Sequence, residues 1–190
     1  MALPGPPALQ VSGANCGDTA SLATPISLTP EKPAKSHIVS AKADSVTPCL
    51  REDGVPARKY VVFALPDSYE TKLITAGARP EIGRIFAPDV SILDADGKVT
   101  RTFAWQDFLL RGDIFSVQFK PRKEERYLLV RSEPKMVGQS FDRIEIGVTT
   151  TSTYAAGTSI TWNTGHDAAV KRTFSHEGEV VVWVQDPAVK

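Results

Sequence analysis

Ile85-Phe86-Ala87-Pro88-Asp89-Val90-Ser91-Ile92-Leu93-Asp94-Ala95-Asp96-Gly97-Lys98 is the stretch on which the fold turns. Val90, Ile92 and Leu93 lead into Asp94-Ala95-Asp96-Gly97, and Val99, Thr100, Thr102 and Phe103 carry the chain back. An Asp-Gly pair supplies the positive φ angles of a tight turn, so the segment reads as a β-hairpin. Further on, Glu125-Arg126-Tyr127-Leu128-Leu129-Val130-Arg131 encloses a continuous apolar run from Tyr127 to Val130. A short unbroken run of this kind is the pattern of a strand covered on both faces.

The pattern repeats in both directions. Tyr60-Val61-Val62-Phe63-Ala64-Leu65 is stopped by Pro66-Asp67, and Leu73 and Ile74 sit in a run expected to end at Gly77. Phe115, Val117 and Phe119 alternate with Ser116, Gln118 and Lys120, which gives a strand with one wet face. Ile144, Ile146 and Val148 alternate again, and Val180 to Val184 forms a last apolar strand after Glu177-Gly178, with Trp183 read as core. Helix is confined to a turn or two at 140–143 and 168–172. These short runs, separated by turn residues, predict an all-β fold, a β-sandwich or jelly roll of antiparallel sheets with little helix. Residues 1–27 are rich in Pro, Gly, Ala, Ser and Thr and read as a flexible leader, because they cannot bury enough apolar area to offset their ordering. Residues 28–190 form the single domain, beginning with a ragged edge segment from Leu28 to Ala43.

Composition narrows the functional classes. The 190 residues carry 22 Lys plus Arg against 22 Asp plus Glu. Without clustered basic side chains to neutralise phosphates, nucleic acid is excluded as an expected partner; Glu124 and Glu125 interrupt the basic run Lys120, Arg122, Lys123 and Arg126, a solvated turn. No apolar stretch approaches the ~20 residues of a spanning helix. Cys16 and Cys49, an even count with no metal-spaced partner, favour one disulfide; two unrelated free thiols are the alternative.

The same patterned region resembles the maltose operon periplasmic protein family, over about residues 28–184. The resemblance runs through Leu28-Thr29-Pro30 and Val62-Phe63-Ala64-Leu65-Pro66, and is clearest at Ile85 to Asp94, where the family shows a similar Phe-Ala-Pro-x-Val-x-Ile-Leu-Asp run. It continues at Arg126 to Val130, Lys171-Arg172-Thr173 and His176-Glu177-Gly178. The chain departs from the family in lacking an Ala-rich helical tail and in carrying the Cys16/Cys49 pair. What the resemblance implies is a β-rich domain in the periplasm or outer envelope, exported by a signal sequence absent from this chain. It implies an accessory to carbohydrate transport and no reaction.

Chemical motifs are sparse. Asp94, Asp96 and Gly97 mimic the start of a calcium loop, but Val99, Thr100 and Arg101 follow where oxygen ligands belong. His37, His166 and His176 lie apart with no nearby cysteine, so each is expected as a surface histidine and no metal site is expected. Gly157-Thr158-Ser159-Ile160 lacks nucleophile-elbow spacing, and Asp142 with Glu145, or Glu177 with Glu179, reads as solvated strand or turn rather than as a glycosidase pair. No catalytic residue or cofactor is therefore assigned. Arg111-Gly112-Asp113 reads as a turn. Two clusters have saccharide-binding character, with a flat aromatic face beside planar polar groups: Trp105, Gln106 and Asp107, and Trp162, Asn163 and His166. The favoured reading, against that one, is that both tryptophans plug the ends of the sandwich. The expected function is a non-catalytic exported binding protein that contacts an oligosaccharide or an envelope protein. A purely structural interaction domain and a hydrolase with a spatially assembled site are the alternatives.

Overall fold

A computed structural model describes residues 4–11, 16–66, 69–155 and 158–187, with backbone alone across 142–170. In chain order the strands are β1 (Cys16–Gly17), β2 (Ile26–Ser27), β3 (Ser36–Ala43), β4 (Cys49–Leu50), β5 (Arg58–Ala64), β6 (Leu73–Arg79), β7 (Arg84–Phe86) and β8 (Pro88–Asp94). They continue with β9 (Val99–Thr102), β10 (Leu109–Arg111), β11 (Ile114–Phe119), β12 (Glu125–Ser132), β13 (Ser140–Ala155), β14 (Thr158–Ser175) and β15 (Gly178–Gln185). The fold is all-β and sandwich-like. One sheet runs β1-β4-β5-β12-β8-β9 with β2 beside β5, a second runs β10-β11-β6-β15-β3, and a third runs β13-β14-β7.

Strand alternation divides the apolar residues between two faces. Val61 and Phe63 of β5, Val90 and Ile92 of β8, and Leu128 and Val130 of β12 point to the main core. There they meet Ile74, Val117, Val180, Val182 and Val184 from the second sheet. The intervening residues Tyr60, Val62, Leu93 and Leu129 face the other way, where Ala20 and Leu22 cover them. The unbroken apolar run in β12 is thus explained: both faces of that strand are covered. Trp183 departs from expectation, since it is only half-buried and lies in β15 out of phase with Val180, Val182 and Val184.

The Asp-Gly turn joins antiparallel β8 and β9. Asp94 Oδ1 accepts from the N–H groups of Asp96 and Lys98, at 3.0 and 2.8 Å, while Gly97 takes φ of 80°. Strand β6 does not end at Gly77 but continues to Arg79. A Cβ on Gly77 would stand 2.0 Å from the Phe115 carbonyl oxygen, so glycine there permits the close approach of β11. The segments 140–143 and 168–172 are strand rather than helix.

Where it is described, the leader is tied to the domain. Cys16 is disulfide-bonded to Cys49, and β1 pairs with β4 in parallel. Ala8 donates to Ser175 Oγ at 2.8 Å, and His176 N–H donates back to the Ala8 carbonyl at 2.9 Å. These bonds supply the enthalpy that the Pro/Gly-rich composition does not advertise.

Candidate functional site

The predicted clusters are built differently. Trp105 opens a 3-10 turn, Trp105–Asp107, whose N-terminus is closed by Asp107 Oδ2 accepting from Ala104 N–H at 2.9 Å. Asp107 therefore serves the backbone, while Gln106 is exposed. The Trp105 ring packs against Phe108, Phe115 and Phe174 with centroid separations of 5.6, 5.3 and 5.2 Å. Phe141 joins the group through Phe115 and Phe174. Aromatic pairs at such separations add packing energy beyond their buried area, so Trp105 closes one end of the sandwich.

Trp162, Asn163 and His166 lie on β14, opposite Thr151, Thr150 and Gly147 of β13. Their side chains fall outside the description. Twelve positions separate Trp162 from Phe174, which touches Trp105. At ~3.3 Å per residue that is roughly 40 Å along the strand. The two tryptophan clusters are not brought together.

Sequence reasoning missed a buried polar assembly at the junction of β5, β8 and β12. Asp89 Oδ2 accepts from Arg58 Nη2 at 2.6 Å and from Arg131 Nη2 at 2.8 Å. Arg58 also reaches Glu52 and Glu133, and its Nε donates to the Ser132 carbonyl. Ser132 Oγ accepts from Lys59 N–H at 3.0 Å and lies 2.7 Å from His176 Nδ1. The Ser132 proton is thereby left for Nδ1, which places the imidazole proton on Nε2 by inference. His176 is buried, contrary to the surface position expected of it. Burial, then the cations Lys59 and Arg58, lower its pKa to about 4. A serine beside a neutral imidazole has the components of a nucleophile and its base. Both are buried, however, and neither lines any of three surface cavities of about 380, 260 and 390 Å³. The bonds tie β5, β8, β12 and the turn before β15 together, and the assembly reads as a structural lock. The alternating polar residues of Arg58, Asp89 and Arg131 inside apolar strands were its only sequence signal.

The element that stands out is the β13–β14 hairpin. Sixteen antiparallel pairs run from Ser140↔Thr173 to Ala155↔Thr158, about 50 Å of ribbon at ~3.3 Å per residue. Among the described residues its strand pairing to the rest of the fold lies at its base, where β14 pairs with β7 from Thr173 to Ser175 and Phe174 N–H donates to the Gln139 carbonyl. Among the described residues, no strand other than β14 pairs with β13. From Ile146 to His166 the sequence has no Asp, Glu, Lys or Arg, and no proline occurs from Lys135 to Asp186. Sequence reasoning noticed Ile144, Ile146 and Val148 but not the β-branched run Thr149-Thr150-Thr151 that extends them.

Among the described residues no group of three His, Cys, Asp or Glu could hold a metal ion, and no helix is long and apolar enough to cross a membrane. No family model, curated protein sequence or solved structure matches the chain.

Proposed function

We propose that this protein is a non-catalytic, exported binding module of the cell envelope whose contact element is the β13–β14 hairpin. The observation that carries the reading is the hairpin's two strand edges, to which no strand pairs beyond its base among the described residues. Unpaired edges of this length offer a row of backbone donors and acceptors to an added strand. The disulfide supports export, since such bonds persist in oxidising compartments. The resemblance to the maltose operon periplasmic family supports the periplasm as that compartment. Saccharide contact, which the family's setting implies, finds less support, because the Trp105 ring is engaged by three phenylalanines.

A photo-crosslinking residue placed at Thr151 in intact cells tests this, with the exposed Val46 as control site. The reading expects a discrete protein adduct from position 151 and none from position 46. Absence of any adduct along the hairpin, together with calorimetric heat on adding an oligosaccharide, would replace it with the saccharide-binding alternative.

A further inference from the structure

We infer that the hairpin's partner is a second copy of this chain, joined head to tail, with the outer edge of β13 in one copy against the outer edge of β14 in the next. The inference rests on the hairpin being the contact element. A two-stranded ribbon is marginal in water without a third strand or a packed face. Natural edges are protected by lysine, proline, bulges or brevity. This hairpin has none of the first two between Phe141 and Val170, its register is unbroken, and it is among the longest elements of the fold.

Charge selects which edges meet. The base of β13 carries Asp142, Arg143 and Glu145, net negative; β14 carries Asp167, Lys171 and Arg172, net positive. Within the chain Asp142 stands opposite Lys171. The same antiparallel register between copies repeats that opposition, and opposite charges on facing strands stabilise a pair whereas like charges destabilise it. A contact that joins two different edges is heterologous, and it leaves no edge free when the ring closes. The closed form is a β-barrel with two strands from each copy. About eight strands make the smallest barrel whose interior side chains can fill, so about four copies are required.

A lipid-embedded barrel is the competing arrangement, since the uncharged parts of the two strands, 146–155 and 158–166, are long enough to cross a bilayer. It needs one alternating set of residues to be apolar. Here hydroxyl residues occupy both sets: Thr149, Thr151 and Thr153 in one, Thr150, Ser152 and Thr161 in the other. The sequence of the hairpin fits an aqueous or protein-lined barrel.

The experiment uses the full oxidised chain, whose own cysteines are bridged. Thr149→Cys and Thr164→Cys variants are prepared separately, mixed and mildly oxidised, and native mass is measured for the unmodified protein. These positions are opposite one another within the hairpin, so the same register places them opposite between neighbouring copies. The expected result is a native mass at a whole-number multiple of the protomer. Cross-linked species should form in the mixture and not in either variant alone. Cross-linking within each variant alone would overturn the head-to-tail arrangement. A monomer at every concentration, with no cross-link in the mixture, would overturn self-assembly. If position 151 still captures another envelope protein, the contact-element reading survives that result; if it captures nothing, both fall. Assembly seen only with phosphatidylglycerol-containing vesicles would overturn the inference in favour of a lipid-embedded barrel.

Discussion

Ser132 Oγ lies 2.7 Å from His176 Nδ1, linking β12 to the turn before β15 across 44 residues of sequence. The imidazole is held neutral there by burial and by the neighbouring Lys59 and Arg58 charges, which lower its pKa from 6.5 to about 4. The unfolded chain binds a proton near pH 6.5 and the folded one only near pH 4, so folding expels that proton in between. Stability is therefore undiminished above about pH 6.5 and falls as pH drops through this window, by about 3 kcal/mol in all. Urea midpoints measured from pH 7.5 to pH 4 should show this slope, and His176→Gln should flatten it. An unchanged slope in the variant would place the acid sensitivity elsewhere.

Reducing the Cys16–Cys49 bridge releases a loop of 33 residues. The chain-entropy account gives a loss of about 3–4 kcal/mol. A Cys16→Ser, Cys49→Ser variant should melt correspondingly lower than the oxidised protein and show no further response to dithiothreitol. An identical melting temperature would mean that β1 and the residues covering Leu50 and Leu129 contribute nothing.

Glu125 is wholly buried, with both carboxylate oxygens engaged: Arg101 donates to them at 2.7 and 2.9 Å, and the Arg122 N–H at 2.6 Å. Removing the carboxylate takes the counter-charge from Arg101, which is left with the Lys120 carbonyl and the Phe103 and Phe119 rings. Glu125→Ala should cost about 3–5 kcal/mol. The double variant Glu125→Ala, Arg101→Ala should cost less than the two single losses added, because the stranded guanidinium is gone. Simple additivity in chemical denaturation would show that the two groups are not coupled.

Trp105→Ala should lower stability by about 3 kcal/mol through the space left among Phe108, Phe115 and Phe174. It should leave any calorimetric response to oligosaccharides as it was. A variant of normal stability that loses glycan heat would return Trp105 to the binding role its sequence neighbours suggest.

Much of the sandwich was legible because it rests on period-two patterns and turn chemistry. Val90, Ile92, Asp94 and Gly97 announce the β8–β9 hairpin on their own, and Tyr127 to Val130 announces a strand covered on both faces. Gly77 misled, since a glycine that ends a strand and one that admits a neighbouring backbone look alike until Phe115 is placed beside it. Trp183 misled for a similar reason: a run of valines hides which alternate positions face the core. The polar lock was illegible because Arg58, Asp89, Ser132 and His176 come from four separate stretches and acquire meaning only through strand register. The hairpin was half legible: its apolar start was visible, whereas the Thr-rich continuation has neither strong alternation nor charge to mark it.

Strand β15 is an interior strand of its sheet, between β6 and β3, yet among the described residues it follows every other strand in the chain. A polypeptide emerging amino-terminus first cannot complete that sheet until residues 178–185 arrive, and the Ala8–His176 clasp waits on the same event. Until then β6 and β3 each present an open edge, while the β13–β14 segment, without a charged residue from Ile146 to His166, is already out. Closure of this sheet must therefore trail synthesis of the chain rather than accompany it. Such non-local closure is slow and exposes strand edges to aggregation. In a cell this topology leaves the edges of β3 and β6 in need of shielding during the interval between the synthesis of those strands and the insertion of the last one.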